Sequence, residues 1–92
     1  MIQFLVHEKA DTVGVATVDI KANQVATGLY MDNQNPVEIK AAQDIPLGHK
    51  IALIAMQKGD TVIKYGHDIG CVTAAFDKGA HVHIHNLKTK RW

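Results

Sequence analysis

Apolar and polar residues alternate with a period of two along much of this chain. The alternation is clearest in residues 2–7, 13–18, 37–40 and 81–85, and further strand candidates are residues 25–30, 50–56 and 61–65. A period of two is typical of short strands that bury one face and expose the other. No ten residues form an amphipathic helical face, because the best attempt, 41–53, is interrupted by Pro46 and Gly48. The pattern predicts an all-β domain with at most one or two short helical turns.

A short turn motif recurs within this pattern. It consists of an apolar residue, two linking residues, Gly, two more residues and a second apolar residue, and it occupies 45–51, 56–62 and 76–82. A weaker copy begins at Ile20 and has Asn23 in the glycine position. Because Gly and Asn both tolerate positive φ, each copy predicts a tight turn that leads into a strand. The apolar residue before each turn is expected to insert into the core.

Composition limits the classes of function that the chain can have. Its 92 residues predict one domain, 1–92, with a flexible basic tail at about 87–92. A net charge of +1 and an aromatic content of 5% disfavour nucleic-acid binding. No signal-like or membrane-spanning apolar run is present, so a cytoplasmic protein that does not enter membranes is expected. Cys71 is the only cysteine, which excludes an internal disulfide and predicts a buried, unreactive thiol.

Histidine is the unusual component, since three of the six histidines lie in the segment His81-Val-His-Ile-His-Asn86. On a strand, their imidazoles point to one face, with neighbours about 7 Å apart and the outer pair about 13–14 Å apart. Two neighbours can then share a metal ion, whereas all three can do so only around a bend. Neutral imidazole is both a common metal ligand and a general base near pH 7. The alternative is an exposed strand face that is rich in histidine and has no function.

Two further segments contain candidate binding groups. Gly48-His49-Lys50 follows a tight turn, and its free backbone N–H groups together with two side-chain donors suit a carboxylate or a sulfonate. An ordinary polar loop is the alternative. The segment Lys64–Gly70 predicts a hairpin or a bulge in which Lys64, Tyr65 and His67 are within reach of a ligand, although a plain turn is favoured. Serine does not occur, which excludes a serine nucleophile.

These segments resemble the SAF-type N-terminal domain of the altronate/galactarate dehydratase family. The resemblance is carried, in the same order and over nearly the whole chain, by 11–16 (DTVGVA), 44–53 (DIPLGHKIAL), 62–66 (VIKYG) with 69–70 (IG), and 79–87 (GAHVHIHNL). It implies a small SAF-like β-clip fold, which agrees with the period of two. It also implies a carbon–oxygen or carbon–sulfur lyase that performs β-elimination on a hydroxy acid such as altronate, galactarate or sulfolactate, and the sequence does not choose among these.

The resemblance also implies roles for individual residues. It implies a divalent metal, Fe²⁺ in several members, in the assembled enzyme, with none bound tightly to the isolated chain. Carried over by motif, the catalytic candidates are His49, His83 and His85, the substrate-binding candidates are Lys50, His81 and Asn86, and the metal ligands are His83 and His85.

Partners follow from the same resemblance. Family members usually continue into a larger catalytic region, whereas this chain ends at Trp92, as in split members such as the small subunit of sulfolactate sulfo-lyase. A separate larger catalytic subunit and a hydroxy-acid substrate are therefore expected, with no activity of the chain alone. The basic tail ending in Trp92 is either a docking segment or a frayed terminus. A stand-alone binding module for a sugar acid and a metal carrier are the alternative functions.

Overall fold

The computed structural model describes residues 1–64, 67–83 and 85–88 of the chain. These residues contain short strands and no helix, which confirms the predicted all-β class. The expectations for Tyr65, Ile84 and the tail at 89–92 lie outside the described residues. The strands are β1 (Phe4–Val6), β2 (Val13–Ala16), β3 (Val25–Tyr30), β4 (Pro36–Lys40), β5 (Lys50–Ala52), β6 (Thr61–Lys64), β7 (His67–Val72), β8 (His81–Val82) and β9 (Leu87–Lys88).

The strands form two sheets. The larger sheet has the order β4-β3-β1-β2-β5-β8, and the smaller one has the order β6-β7-β9. All neighbours are antiparallel except β1 and β3. The sheets are joined where the Thr12 N–H donates to the Ile63 carbonyl at 2.9 Å and the Ile63 N–H donates to Thr12 Oγ1 at 3.0 Å. The antiparallel pair β6–β7 contains a register shift at Val62/Ile63, which agrees with the expectation of a hairpin or a bulge in this segment.

The repeated turn motif is confirmed in its backbone conformation. Asn23, Gly48, Gly59 and Gly79 have φ angles of 69°, 85°, 94° and 89°. The apolar residues before the turns pair through backbone bridges, Ile20 with Ile45 and Met56 with Phe76. Ile20, Ile45 and Met56 are buried, and Phe76 is half-buried against the core.

Each pair of turns repeats one hydrogen-bond pattern. In each turn, the N–H of the positive-φ residue donates to a carbonyl that lies four residues before the apolar residue of the partner turn. Gly48 donates to Ala16, which precedes Ile20 by four residues, and Gly79 donates to Ala52, which precedes Met56 by four residues. In the pair of turns bridged by Ile20 and Ile45, two aspartates add side-chain bonds. Asp19 Oδ1 accepts the Leu47 N–H at 2.8 Å, and Asp44 Oδ1 accepts the Ala22 N–H at 2.8 Å. These bonds fix the turn that leads into β5.

The core lies in two clusters on either side of β5. Ile51 belongs to the cluster around Phe4, and Ala52 belongs to the cluster that contains Val62 and Val82. Burial of successive residues on both faces makes β5 a rigid central element. Gly28 allows the close packing of β3 against Phe4, because a Cβ there would lie 2.1 Å from the Phe4 ring.

The histidine-rich segment departs from its predicted form. A single strand over 81–85 is wrong, because β8 ends at Val82, the chain bends at His83, and a turn follows at His85 and Asn86. Leu87 and Lys88, which were expected in the tail, form β9 against β7. Cys71 is half-buried on β7 rather than fully buried. Among the described residues, no helix is long and apolar enough to cross a membrane.

Candidate functional site, a cluster of histidines

The register of β5 and β8 places two histidine-bearing segments side by side. Ile51 lies opposite His81, and Lys50 lies opposite Val82. His49 precedes β5 and His83 follows β8, so both residues adjoin the Lys50–Val82 pair. Because alternate residues of a strand share a face, His49 and Ile51 point to the side on which His81 and His83 also lie.

The three imidazoles meet at this edge of the larger sheet. His49 Nδ1 lies 2.8 Å from His81 Nε2, which is hydrogen-bond distance. The ring of His83 stacks on that of His49 at 4.2 Å between centroids, and it lies 5.6 Å from that of His81. One nitrogen of each ring is within 4.8 Å of the other two, and all three residues are partly buried. The name histidine cluster is used below for these three residues.

Asn86 closes the loop that carries the cluster. It is buried, its Oδ1 accepts the His83 N–H at 2.9 Å, and its Nδ2 donates to the His81 carbonyl at 2.9 Å. Its own N–H donates to the His83 carbonyl at 3.0 Å, and its carbonyl accepts the Thr73 N–H at 2.9 Å. An asparagine that bonds nearby backbone in this way competes with a strand ladder and favours a turn. Asn86 therefore bends the chain and brings His83 back over His49.

The other rings of the site are held by their own elements. His49 follows the Gly48 turn, its N–H donates to the Pro46 carbonyl, and its carbonyl accepts the Ala16 N–H, both at 2.9 Å. Gln43 accepts the His81 N–H at 2.9 Å through Oε1. Sequence reasoning missed Gln43, because nothing in the local pattern distinguishes it from the exposed residues around it.

His85 lies beside the cluster rather than inside it. Its side chain is exposed, and its ring is 5.2 Å from that of His81. Together with Gln43, Asp77 and Phe76 it borders a groove of about 380 Å³. The structure thus brings His83 together with His49 and His81, whereas His85 occupies the rim.

Electrostatics favours the neutral form of two rings of the cluster, His81 and His83. Partial burial, first, and then the charges of His49, His85, His83 and Lys50 lower the pKa of His81. Partial burial and the charges of His49, Lys50 and His85 lower the pKa of His83. Partial burial and the Lys64 charge also lower the pKa of Lys50. Near pH 7 the imidazoles of His81 and His83 are therefore available as ligands or as proton acceptors.

Comparison with known proteins identifies the domain. The family model described as "Altronate/galactarate dehydratase SAF domain" matches residues 2–90. The chain belongs to this family. The resemblance inferred from sequence is confirmed, and the all-β structure is consistent with a small SAF β-clip domain.

The chain is similar to proteins of two different lengths. The chain is 45% identical over 92 residues to the "(2R)-sulfolactate sulfo-lyase subunit alpha" of Chromohalobacter salexigens, covering 99% of this chain and 98% of that protein. It is 57% identical over 54 residues to the protein of the same name in Paracoccus pantotrophus, covering 59% and 81%. It is 39% identical over 88 residues to the "Altronate dehydratase" of Escherichia coli K12, covering 96% of this chain but 17% of that protein.

The SAF domain has a donor set that fits a divalent transition metal. Three imidazole nitrogens within 4.8 Å of one another are close to the separation of ligands on one ion, since metal–imidazole bonds are about 2.0–2.1 Å long. Imidazole suits Fe²⁺, Zn²⁺ and Ni²⁺. The distances therefore make His49, His81 and His83 the ligand candidates.

Proposed function

We propose that this chain is the small subunit of a two-subunit lyase that catalyses β-elimination on a hydroxy acid. Two observations support the proposal. The histidine cluster provides groups for such chemistry, and the match to the sulfo-lyase alpha subunit covers nearly all of both chains. A larger catalytic subunit would complete the site, because the cluster lies open at the sheet edge. We place the assembled enzyme in the cytoplasm.

The elimination has a defined balance of atoms and electrons. A base removes the proton on the carbon next to the carboxylate, and its electron pair forms a carbon–carbon double bond. On sulfolactate, the carbon–sulfur bond breaks and its electrons leave with sulfite, whereas a dehydratase substrate loses water. The resulting enol takes up a proton on carbon, loses its hydroxyl proton and becomes a 2-keto acid. The difficult step is the first one, because the carbon acid is weak and charge develops on the carboxylate.

A divalent metal such as Fe²⁺ supplies a Lewis acid that stabilises this charge when it is bound. In the proposal, His49, His81 and His83 hold it. His85, at the rim and exposed, is positioned to exchange a proton with the leaving group or solvent. Lys50 binds an acidic group of the substrate through its ammonium. Asn86 orients the loop, since both its amide groups are bonded to backbone.

Reconstitution tests the proposal directly. Tagged chain is recovered from its native lysate, the bound protein is identified by mass, and the pair is assayed with Fe²⁺ on sulfolactate and altronate. We expect a larger partner at fixed stoichiometry and Fe²⁺-dependent formation of a 2-keto acid. We also expect His83→Ala and His85→Ala to abolish turnover while the domain remains folded. If the chain is recovered alone, the proposed function is wrong. If the His83→Ala/His85→Ala pair retains full rates, the roles given to these two histidines are wrong.

A stand-alone binding module for a sugar acid is the second candidate. The concentration of basic groups around Lys50 and the histidine cluster supports it. This candidate requires altronate or galactarate to bind the isolated chain at a defined site without a partner, which calorimetry can measure.

A further inference from the structure

The fold contains two pairs of turns that are built alike. In the first turn pair Ile20 is bridged to Ile45, and in the second turn pair Met56 is bridged to Phe76. Each of the four positive-φ residues donates its N–H to the carbonyl four residues before the bridged residue of the partner turn. These bonds run from Asn23 to Ala41, Gly48 to Ala16, Gly59 to Val72 and Gly79 to Ala52. Every position in the first turn pair therefore has a counterpart in the second.

The residue before each bridged isoleucine of the first turn pair is an aspartate that bonds the partner turn. Asp19 accepts the Leu47 N–H and Asp44 accepts the Ala22 N–H, both at 2.8 Å. Each of these donors lies two residues after a bridged isoleucine. In the second turn pair, the residues that stand in place of the two aspartates have no side-chain acceptor, and they are Ala55 and Ala75.

The corresponding N–H groups of the second turn pair belong to Lys58 and Lys78, two residues after Met56 and Phe76. Within residues 1–64, 67–83 and 85–88, no protein group accepts a hydrogen bond from either N–H. Both lysines are exposed. The second turn pair therefore presents two backbone donors to its surroundings at the positions where the first turn pair binds two carboxylates.

The surface around these donors is partly apolar and continues to the candidate site. Ile54 is 49% exposed, and Ala55 and Ala75 are exposed as well. Ala75 and Phe76 also border the groove of about 380 Å³ that has His85 on its rim. The second turn pair and the rim of the histidine cluster thus share one surface. A chain that covers the cluster from this side can reach the two donors.

The chemistry of the second turn pair suits a carboxylate. The Lys58 and Lys78 side chains add two ammonium groups to the two N–H donors. Among the acidic residues of these turns, Asp60 already accepts the Gln57 N–H at 2.8 Å, and Asp77 borders the groove. A carboxylate that accepts from a backbone N–H and a nearby ammonium forms charge-assisted hydrogen bonds, which are stronger than neutral ones.

We propose that the second turn pair is a docking site for acidic side chains of the larger catalytic subunit. Their carboxylates accept the Lys58 and Lys78 N–H groups, as Asp19 and Asp44 accept the equivalent groups within the first turn pair. The proposal rests on the proposed function and adds the surface on which the two subunits meet. Carboxylates are the fitting occupants because the chain itself places them on the equivalent donors.

The first part of the test uses the full chain without a partner. In the wild-type chain, we expect amide hydrogen exchange at Lys58 and Lys78 to be faster than at Leu47 and Ala22, because only the latter two N–H groups are bonded. The Ala55→Asp/Ala75→Asp variant copies the first turn pair into the second. Its exchange at Lys58 and Lys78 should slow toward the rates of Leu47 and Ala22, and its urea midpoint should rise. Equally slow exchange at all four amides of the wild-type chain would overturn the proposal.

The second part measures binding of the larger subunit by calorimetry at constant ionic strength. We expect Ala55→Asp/Ala75→Asp to bind it about tenfold or more weakly, because the variant's own carboxylates occupy the donors and repel those of the partner. Ala55→Val/Ala75→Val adds bulk without an acceptor and should weaken binding distinctly less. Ala10→Asp/Asn35→Asp adds the same negative charge on exposed loops outside the turn pairs and should leave the affinity unchanged.

The outcomes distinguish this proposal from the proposed function. If the larger subunit binds the aspartate variant as tightly as the wild-type chain, it docks elsewhere, and only the docking site is wrong. Equal weakening by the aspartate and valine variants would overturn the carboxylate site as well, since bulk alone would then explain the effect. If the wild-type chain has no larger partner, the proposed function is wrong, and the occupant proposed for the second turn pair is wrong with it.

Discussion

His49 and His81 share one hydrogen between two ring nitrogens that lie 2.8 Å apart. In the neutral pair, one ring donates its N–H and the other accepts, and protonation of both rings would set two cations in contact. This repulsion contributes to the lowered pKa of His81. A metal ion requires the lone pairs of both nitrogens, and therefore it competes with the shared proton.

Metal binding by the isolated chain should identify which histidines are ligands. We expect His49→Ala to weaken Zn²⁺ binding by about 100-fold, because one of three imidazole donors is removed, and His85→Ala to change it by about threefold or less. Calorimetric titration measures both. The expectation from sequence alone, that His83 and His85 are the ligand pair, would be supported instead if the two effects were reversed.

Asn86 should act on the cluster through the backbone. Asn86→Ala removes one buried donor and one buried acceptor, so we expect a loss of about 1–3 kcal/mol in unfolding free energy and a 10- to 100-fold loss in Zn²⁺ affinity. Asn86→Asp keeps the acceptor for the His83 N–H and should recover part of both. Urea unfolding and metal titration measure these effects, with the exposed-loop variant Asn35→Ala as control. A residue that only binds substrate would leave stability and metal affinity unchanged.

The paired turns are the elements that hold the site in place. Each turn combines a positive-φ residue with an apolar residue that bridges to its counterpart in another turn. The Gly48 turn fixes the backbone position of His49, and the Gly79 turn leads directly into β8, which begins at His81. Rigid turns on both segments allow two side chains from distant parts of the sequence to meet without a helix.

Substitution of the two turn glycines should separate backbone strain from steric overlap. A Cβ at Gly48 meets nothing within 4 Å, so Gly48→Ala carries only the cost of positive φ, about 1–2 kcal/mol. A Cβ at Gly79 would lie 2.1 Å from the Lys40 carbonyl oxygen, so Gly79→Ala should cost distinctly more. Urea unfolding of both variants tests the order, and Gly48→Val should damage folding more than Gly48→Ala. Equal losses for the two alanine variants would show that the Lys40 contact relaxes.

These elements also show what the sequence can and cannot predict. The alternation of apolar and polar residues predicted the strands correctly because burial alternates along a strand, as at Phe4, Leu5 and Val6. Turn chemistry found the positive-φ positions because few residue types tolerate them. The prediction for the histidine segment was wrong, because its alternation of apolar and polar residues continues past Val82 although the strand does not. The Asn86 side chain ends the strand by forming hydrogen bonds with the nearby backbone. The contact between His49 and His81 could not be predicted from the sequence, because it depends on the pairing of β5 with β8.

At the scale of the whole molecule, protonation of His81 and His83 should be visible in the stability of the fold. The pKa values of His81 and His83 are lowered in the folded chain, so the unfolded chain binds more protons in the range just below pH 6.5. Stability therefore rises with pH through this range and is lost as pH falls below it.

Urea unfolding of metal-free chain between pH 5 and 8 measures this slope. We expect the His81→Gln/His83→Gln double variant to flatten it. An unchanged slope in the double variant would show that other groups control the acid sensitivity.

The position of the cluster on the short edge strand β8 leads to an expectation about assembly. Three imidazoles that face an open edge leave the rest of a metal's coordination to water or to groups from a second chain. We therefore expect Zn²⁺ or Fe²⁺ to bind the isolated chain weakly and the reconstituted pair about tenfold or more tightly, since each added ligand and the exclusion of water favour binding. Titration of chain, partner and complex under the same buffer conditions provides the comparison. The His49→Ala variant, mixed with the same partner, shows how much of the gain belongs to this chain. If the isolated chain already binds as tightly as the complex, the site is complete in one subunit, and the metal-carrier function replaces the lyase subunit as the better account of the cluster.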